Sequence, residues 1–486
     1  MRSLATKPQS RNGPDVRSHR GFELISSIYT DLLDLITKRR ARTGVVGLGY
    51  VGLPLAVELG RAGFETVGID LDEKKVAAVN RGESYIPDVA GELVAQLVRD
   101  KRLSATTDFG VVETLDTVNI CVPTPLRKTK DPDLSYVVSA VEQIAAHLHP
   151  GVLVVLESTT YPGTTDEVLL PALERSGLKA GRDFFLAFSP ERVDPGNPTF
   201  HTHNVPKVVG GYTPECSKLA AALYGAAIET IVPVSSTRVA EMVKLLENTF
   251  RAVNIGLVNE LAMMCDRLGI DVWEVVDAAK TKPFGFMPFY PGPGLGGHCI
   301  PIDPFYLSWK ARQSGFEARF IELAGHVNGA MPHLVADKVG EALNTRRKAV
   351  NGAAILIAGV SYKRDIDDIR ESPALDVMGV LRGRGAIVSY SDPHVPHLTA
   401  RAWAGDRDLA SVPITRQSLD AADCVVIVTD HAAFDYDAIV DGCDLIVDSR
   451  NAVKRRAPHV FRLGAPAPLA AAPDGEAAAP AVAQAR

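Results

Sequence analysis

The sequence predicts an α/β protein with two doubly wound parallel sheets, joined by a long central helix and further helices. Three observations predict it. Short apolar runs alternate with helically periodic segments in both halves of the chain, which is the pattern of strands and crossover helices in parallel sheets. An uninterrupted helical pattern, Thr237–Leu268, separates the two halves. The first apolar run also leads directly into a glycine-rich turn and a helix.

In chain order, residues 1–21 are polar and read as disordered, and 21–42 reads as an amphipathic helix. Candidate strands of the first half are 43–47, 66–70, 117–122, 152–157, 184–188 and 207–210, with helical segments such as 54–62 and 134–148 between them. Strands resume at 353–360, 387–391, 424–429 and 445–448. The stretch from 464 is Ala/Pro-rich and short of large apolar residues, so it reads as a disordered tail. The expected domains are therefore an N-terminal extension (1–40), a Rossmann-like domain (41–236), a central helical domain (237–345), a second Rossmann-like domain (346–463) and the tail (464–486). The length of the central helix predicts an interface, and with it a homodimer or higher homo-oligomer.

Composition narrows the function. The chain has 486 residues, 46% hydrophobic and 23% charged, with a net charge of −6. That balance offers no basic surface for nucleic acid or anionic membrane. No run of about 18 uncharged apolar residues suggests a span, and the N-terminus lacks the apolar core of a signal peptide. The six cysteines stand singly, with no metal-ligand spacing, so neither a disulfide framework nor a metal is expected and a reducing cytoplasm fits.

The turn TGVVGLGYVGLPLA places Gly47, Gly49 and Gly52 as G-x-G-x-x-G, with Leu48, Tyr50 and Val51 between them. Gly47 allows the tight turn, Gly49 the approach of a pyrophosphate, and Gly52 close helix–strand packing. The helix N-terminus then offers free N–H groups to phosphate. Asp70, at the end of the next strand, suits the ribose hydroxyls and repels a 2′-phosphate, which predicts NAD over NADP. A lone triplet means only a tight β–α turn. Strand, triplet, helix and carboxylate in this order mean a dinucleotide site.

Cys299 follows a Gly/Pro-rich loop, YPGPGLGGHCIPIDP, that holds few packing residues. An isolated cysteine is usually a small buried hydrophobe. Here His298 and Asp303 flank it, and the preceding loop suits a phosphate cradle through its backbone N–H groups. Lys244 and Asn248 lie i, i+4 on one face of the long helix. Spacing alone favours a solvated face there, with Glu241 and Glu247 pairing nearby lysines.

Seven stretches in order, GVVGLGYVGLPLA, CVPTPL, ESTTYPGTT, SPERVDPGNP, AEMVKLLENTFRAVNIGLVNE, GPGLGGHCIPIDP and GVSYKRDIDDIRESPAL, resemble the UDP-glucose/GDP-mannose dehydrogenase family from about residue 41 to 455. By that resemblance, Cys299 is the nucleophile, with Lys244, Asn248, Asp303, Thr159 and Glu191 in the catalytic set. Asp70 and Lys75 fall at the adenosine-ribose end of the NAD site, and Thr124, Ser158 and Arg370 nearer the nicotinamide or the cofactor rim. Glu191, Lys244, Asn248, Tyr290, Gly292, Gly294, Gly296 and Lys363 fall on substrate-binding positions. The glucose-type pattern has a second glutamate where this chain has Pro195, and an arginine where it has Lys282 and Pro283. The wording of these segments resembles the branch acting on UDP-N-acetylglucosamine.

The resemblance implies oxidation of a UDP-sugar at C6 to a carboxylate, through a cysteine-bound thiohemiacetal and thioester, with two NAD per turnover. UDP-glucose, UDP-N-acetylmannosamine and UDP-N-acetylgalactosamine are the alternative substrates. A two-electron hydroxy-acid dehydrogenase would need neither the nucleophilic cysteine nor a second Rossmann-like domain. A non-catalytic sugar-nucleotide binder would have no use for Cys299 or Lys244.

Overall fold

The computed structural model describes residues 16–126, 131–194, 197, 199–403 and 405–468. The expectations for residues 1–15 and for 469–486 fall outside them. The chain forms two compact units, residues 1–244 and 245–486.

The first unit is built on eight strands: β1 Arg42–Val46, β2 Glu65–Ile69, β3 Leu103–Thr106, β4 Thr117–Ile120, β5 Leu153–Leu156, β6 Phe185–Phe188, β7 Lys207–Gly211 and β8 Ile231–Val234. They lie in the order β3-β2-β1-β4-β5-β6-β7-β8. Strands covered on both faces must be apolar at every position, and LVVL (β5) and FLAF (β6) are fully buried. Among the polar exceptions, buried Asn119 on β4 donates to the Gly44 carbonyl and accepts from the Tyr224 hydroxyl. The order reverses beside β1, between β2 and β4, so the carboxyl ends of β1, β2 and β4 frame the crevice where such sheets bind ligands.

The expectation of an all-parallel sheet is corrected at one place. β7 runs antiparallel to β6, with Ala187 opposite Gly211 and Phe188 opposite Gly210. A parallel return needs a crossover of a dozen or more residues, usually helical. The described part of the 189–206 connection contains no helix.

The Thr237–Leu268 helix, of 32 residues, starts in the first unit and continues into the second. The second unit carries β9 Ala354–Ala358, β10 Ile387–Ser391, a short antiparallel pair β11 His397–Leu398 and β12 Leu409–Ala410, then β13 Cys424–Ile427, β14 Ile446–Asp448 and β15 Val460–Arg462. Its main sheet is parallel, in the order β10-β9-β13-β14-β15. The fold is thus two Rossmann-like sheets with a long helix and further helices between them in sequence.

Two sequence boundaries move. The N-terminal helix is Val16–Thr37 rather than 21–42. The segment expected to be tail from 464 begins packed: the Gly464 carbonyl accepts from Val272 N–H at 2.9 Å, and Ala465 is buried. Just before it, the Leu463 carbonyl accepts from Trp273 Nε1 at 2.8 Å and Arg462 pairs with Asp271 at 2.6 Å. Gly464 is required there, because its φ is +69° and a Cβ would meet Val272 Cγ1 at 2.6 Å.

Candidate active site

The glycine turn of the first unit is built as its spacing predicts. Gly47 has φ +91°, and a Cβ there would sit 2.6 Å from the Cys121 carbonyl oxygen. A Cβ on Gly52 would sit 1.7 Å from the Gly47 carbonyl oxygen, so only glycine lets the helix Gly52–Arg61 start this close to β1. A Cβ on Gly49 would meet nothing within 4 Å, which leaves an open approach to the backbone. No side chain caps the helix N-terminus, so its N–H groups are available to a phosphate.

Asp70 closes the turn. One oxygen accepts from Leu48 N–H at 2.7 Å and lies 3.3 Å from Lys75 Nζ; the other accepts from Asp72 N–H at 2.9 Å. Lys75 therefore joins Asp70, as expected. Tyr85, which the sequence reading missed, donates to the Leu48 carbonyl at 2.7 Å, and burial pushes its hydroxyl well above the usual tyrosine range. Tyr50 is exposed and Val51 half-buried.

Thr124 and Ser158 are buried past the ends of β4 and β5, and Ser158 Oγ donates to the Val122 carbonyl at 2.7 Å. Thr159 is half-buried. The segment behind it is fastened by Glu241, whose carboxylate accepts from Gly163 N–H, Thr165 N–H and Thr165 Oγ1. Burial pushes the Glu241 carboxyl up to about 7, against those donors, which favour the charge. The expected pairing of Glu241 with lysines is thereby corrected.

Lys244, one turn further along the helix, is 7% exposed, and its ammonium has no ion-pair partner among the described residues. Asn248 is 1% exposed. These values reject the solvated-face reading. Glu191 follows β6; its Oε1 accepts from Arg192 N–H at 2.7 Å and Val193 N–H at 2.8 Å, and its Oε2 lies 3.9 Å from Lys207 Nζ. Pro195, the position of the second glutamate in the glucose-type pattern, falls outside the described residues.

In the second unit, Cys299 is half-exposed, while Cys121, Cys216, Cys265, Cys424 and Cys443 are buried. Its carbonyl accepts from Ile302 and Asp303 N–H, which seats the thiol at the start of the Asp303–Gln313 helix. Asn248 donates through its amide to the buried Asp303 carboxylate and accepts from Arg251. Cys299, Asp303 and Asn248 are thus joined, and Arg251 is a member that sequence reasoning missed.

In and just after the glycine loop before the cysteine, two N–H groups are already engaged. Gly292 N–H is taken by Asn259 Oδ1 at 2.9 Å, and Gly297 N–H by the Arg370 carbonyl at 3.0 Å. The loop's glycines also allow close packing. A Cβ on Gly292 would meet Arg450 at 2.8 Å, on Gly294 Pro373 at 3.0 Å, and on Gly296 Tyr362 at 2.6 Å. Tyr290 donates to Asp277 at 2.9 Å and stacks on Trp273. Arg370, assigned to the cofactor, lies in the second unit, forked onto Asp368. Lys363 is half-buried, and Arg450, against the loop, is a cation that sequence reasoning missed.

Asp365, His394 and His431 have the spacing of metal ligands. His431, however, accepts the Asp365 N–H at Nδ1 (2.9 Å) and so donates from Nε2 to Asp392 at 3.0 Å. Both of its ring nitrogens are committed to a hydrogen-bond network rather than to a cation.

A glycine turn with a strand-end carboxylate, at the reversal point of a parallel sheet, defines an NAD-dependent oxidoreductase. The sequence matches the UDP-glucose/GDP-mannose dehydrogenase family across its NAD binding domain (residues 41–228), central domain (238–330) and UDP binding domain (356–455). It is 37% identical to the UDP-N-acetyl-D-glucosamine 6-dehydrogenase of Pseudomonas aeruginosa, over 81% of this chain and 91% of that one. It is 38% identical to an NDP-N-acetyl-D-galactosaminuronic acid dehydrogenase of Ralstonia nicotianae, over 80% and 90%. The solved UDP-D-ManNAc dehydrogenase of Pyrococcus horikoshii superposes with a TM-score of 0.79 at 32% identity, covering 87% of this chain and 99% of that one. The chain belongs to the UDP-glucose/GDP-mannose dehydrogenase family.

Proposed function

We propose that this protein oxidises the C6 primary alcohol of UDP-N-acetylglucosamine to the carboxylate, consuming two NAD and one water per sugar. Residues 41–236 hold NAD, 237–345 carry the cysteine loop, and 346–463 hold the UDP-sugar. Relatives acting on N-acetylated sugars support the substrate class. The observation that carries the chemistry is the single half-exposed thiol among six cysteines, on a residue whose backbone carbonyl is bonded to Asp303, which in turn holds Asn248.

Bound NAD accepts a hydride in each of two oxidations. The first turns the alcohol into an aldehyde and releases a proton. The Cys299 thiolate then adds to the aldehyde carbon, giving a thiohemiacetal. The second hydride removal leaves a thioester. Water adds to that carbonyl and expels the thiolate, leaving the carboxylate. Lys244 and Asn248 stabilise the oxyanion, a task worth about 3 kcal/mol per donor. Glu191 takes the proton from the attacking water, which Thr159 and Asp303 help to order.

Cys299→Ser should still bind NADH and the sugar nucleotide while turnover falls by at least about a thousandfold, since a serine hydroxyl is a poor nucleophile at neutral pH. Near-normal yield of two NADH per sugar from that variant ends the covalent scheme. A panel of UDP- and GDP-sugars, scored by NADH absorbance, tests the substrate. Preference for the N-acetylmannosamine or N-acetylgalactosamine epimer redirects the assignment within the family.

A homodimer is part of this proposal. Met242, Leu246, Phe250, Leu257 and Met264 stand exposed along the long helix, and apolar surface of that extent suits a partner. No described helix is long and apolar enough to cross a membrane. We place the enzyme in the cytoplasm, with its cofactor pool.

A further inference from the structure

Beneath the dinucleotide turn lies a buried charge cluster that the chemistry above does not use. Lys207, at the start of β7, is 4% exposed. Its ammonium lies 2.7 Å from Glu157 Oε2, just past β5, and 4.9 Å from the centre of the Tyr224 ring. Glu157 is 1% exposed, and its other oxygen has no hydrogen-bond partner among the described residues. Two charges are rarely taken out of water together for stability alone, because desolvation costs about what their attraction returns. The same ammonium has a second anion within reach, Glu191 Oε2 at 3.9 Å.

The two Glu191 oxygens differ. Oε1 is fixed by the N–H groups of Arg192 and Val193, while among the described residues Oε2 has only the lysine facing it. Among the described residues, Oε2 is therefore the oxygen open to proton exchange, and Lys207 is the cation that faces it.

We propose that Lys207, anchored by Glu157, is the positioning residue that faces Glu191, with Oε2 presented for proton transfer. Lys207 reaches no substrate in this role; it acts through Glu191. The inference rests on Glu191 being the acid–base group proposed above. The other titratable or charged groups nearby are Cys121 past β4, Tyr224 on the Pro214–Tyr224 helix, and Arg192 and Asp194 on the loop of Glu191 itself. Burial holds the Cys121 thiol and the Tyr224 hydroxyl neutral, so neither contributes a charge.

The two partners of Lys207 give opposite predictions. Lys207→Met removes the cation and leaves Glu157 facing Glu191, so the acid limb of the kcat–pH profile should move up by about one pH unit, a tenfold change in proton affinity. Glu157→Gln removes the competing anion, so the limb should move down. KM for NAD should stay within about threefold in both, and Lys207→Arg should restore most of the wild-type profile. A purely structural role predicts lower melting temperatures with an unmoved limb, and that outcome overturns the inference. If Lys207→Met does not fold, the near-isosteric Glu157→Gln decides alone by the direction of its shift. Glu191→Gln separates the two levels: retained turnover refutes the acid–base assignment. Lost turnover, with limbs unmoved in the other variants, refutes only the role of Lys207.

Discussion

Asp70→Ala is the sharpest probe of the dinucleotide turn. The carboxylate is 11% exposed, and accepts from Leu48 N–H at 2.7 Å and Asp72 N–H at 2.9 Å. A hydrogen bond to a charged acceptor contributes about 1.5–3 kcal/mol, so losing the ribose contact should weaken NADH binding by roughly ten- to a hundredfold. For NADPH the sign reverses. A carboxylate about 4 Å from a phosphate costs at most about 4 kcal/mol at an effective dielectric of 20, and exposure at the rim cuts this to roughly 1–2 kcal/mol. Lys75, 3.3 Å from Asp70 and partly exposed, would then be free to meet the phosphate. The NADH-to-NADPH preference should fall on the order of a hundredfold or more. Fluorescence titration of each reduced cofactor measures it, with melting temperature as the check on folding. Should the turn itself loosen, Asp70→Asn keeps an acceptor for Leu48 N–H while losing the charge. An unmoved preference in both variants refutes the assignment of Asp70.

Two more outcomes follow from the same unit. Gly52→Ala, which forces a Cβ within 1.7 Å of backbone, should cost about 3 kcal/mol or more and lower the melting temperature, whereas Gly49→Ala, with open space around it, should melt normally yet lose NADH affinity. Equal melting temperatures would show that the helix start is not held by glycine packing. Glu241 is pushed up to about 7 from an ordinary 4.5, so ionising it opposes folding. Its contribution is complete below pH 4.5 and is lost as pH rises through 7, up to about 3 kcal/mol. Glu241→Gln should flatten that part of the stability–pH curve, as thermal melts between pH 5 and 8 will read; an unchanged slope would assign it to another group.

The strands that were legible are those whose apolar residues are continuous, such as LVVL and CVVI, because burial on both faces leaves a signature in composition. Three others carried no such signature. β3 (LSAT) is half polar, β15 is three residues long, and β8 holds Pro233, tolerable because only β7 pairs with it at the sheet edge. At the site, the dinucleotide turn was readable because its chemistry is local: three glycines and one carboxylate on adjacent strands. Glu241 and Lys207 were not, because each acts on a group from a distant segment, Gly163 and Glu191, and Arg251 matters only once the fold brings Asp303 to its neighbour Asn248. The loop glycines at 292–296 had the right composition for a cradle, but their close packing against Arg450, Pro373 and Tyr362 depends on distant segments and was not legible.

The bonds from Val272 and Trp273 to Gly464 and Leu463 tie the opening helices of the second unit to its last strand. That unit is stitched shut at its seam, so a ribosome must release nearly the whole chain before the seam can close. A nascent chain ending at 460 would leave the Trp273 indole N–H without its acceptor, and should be degraded or held by chaperones rather than accumulate as a shortened enzyme.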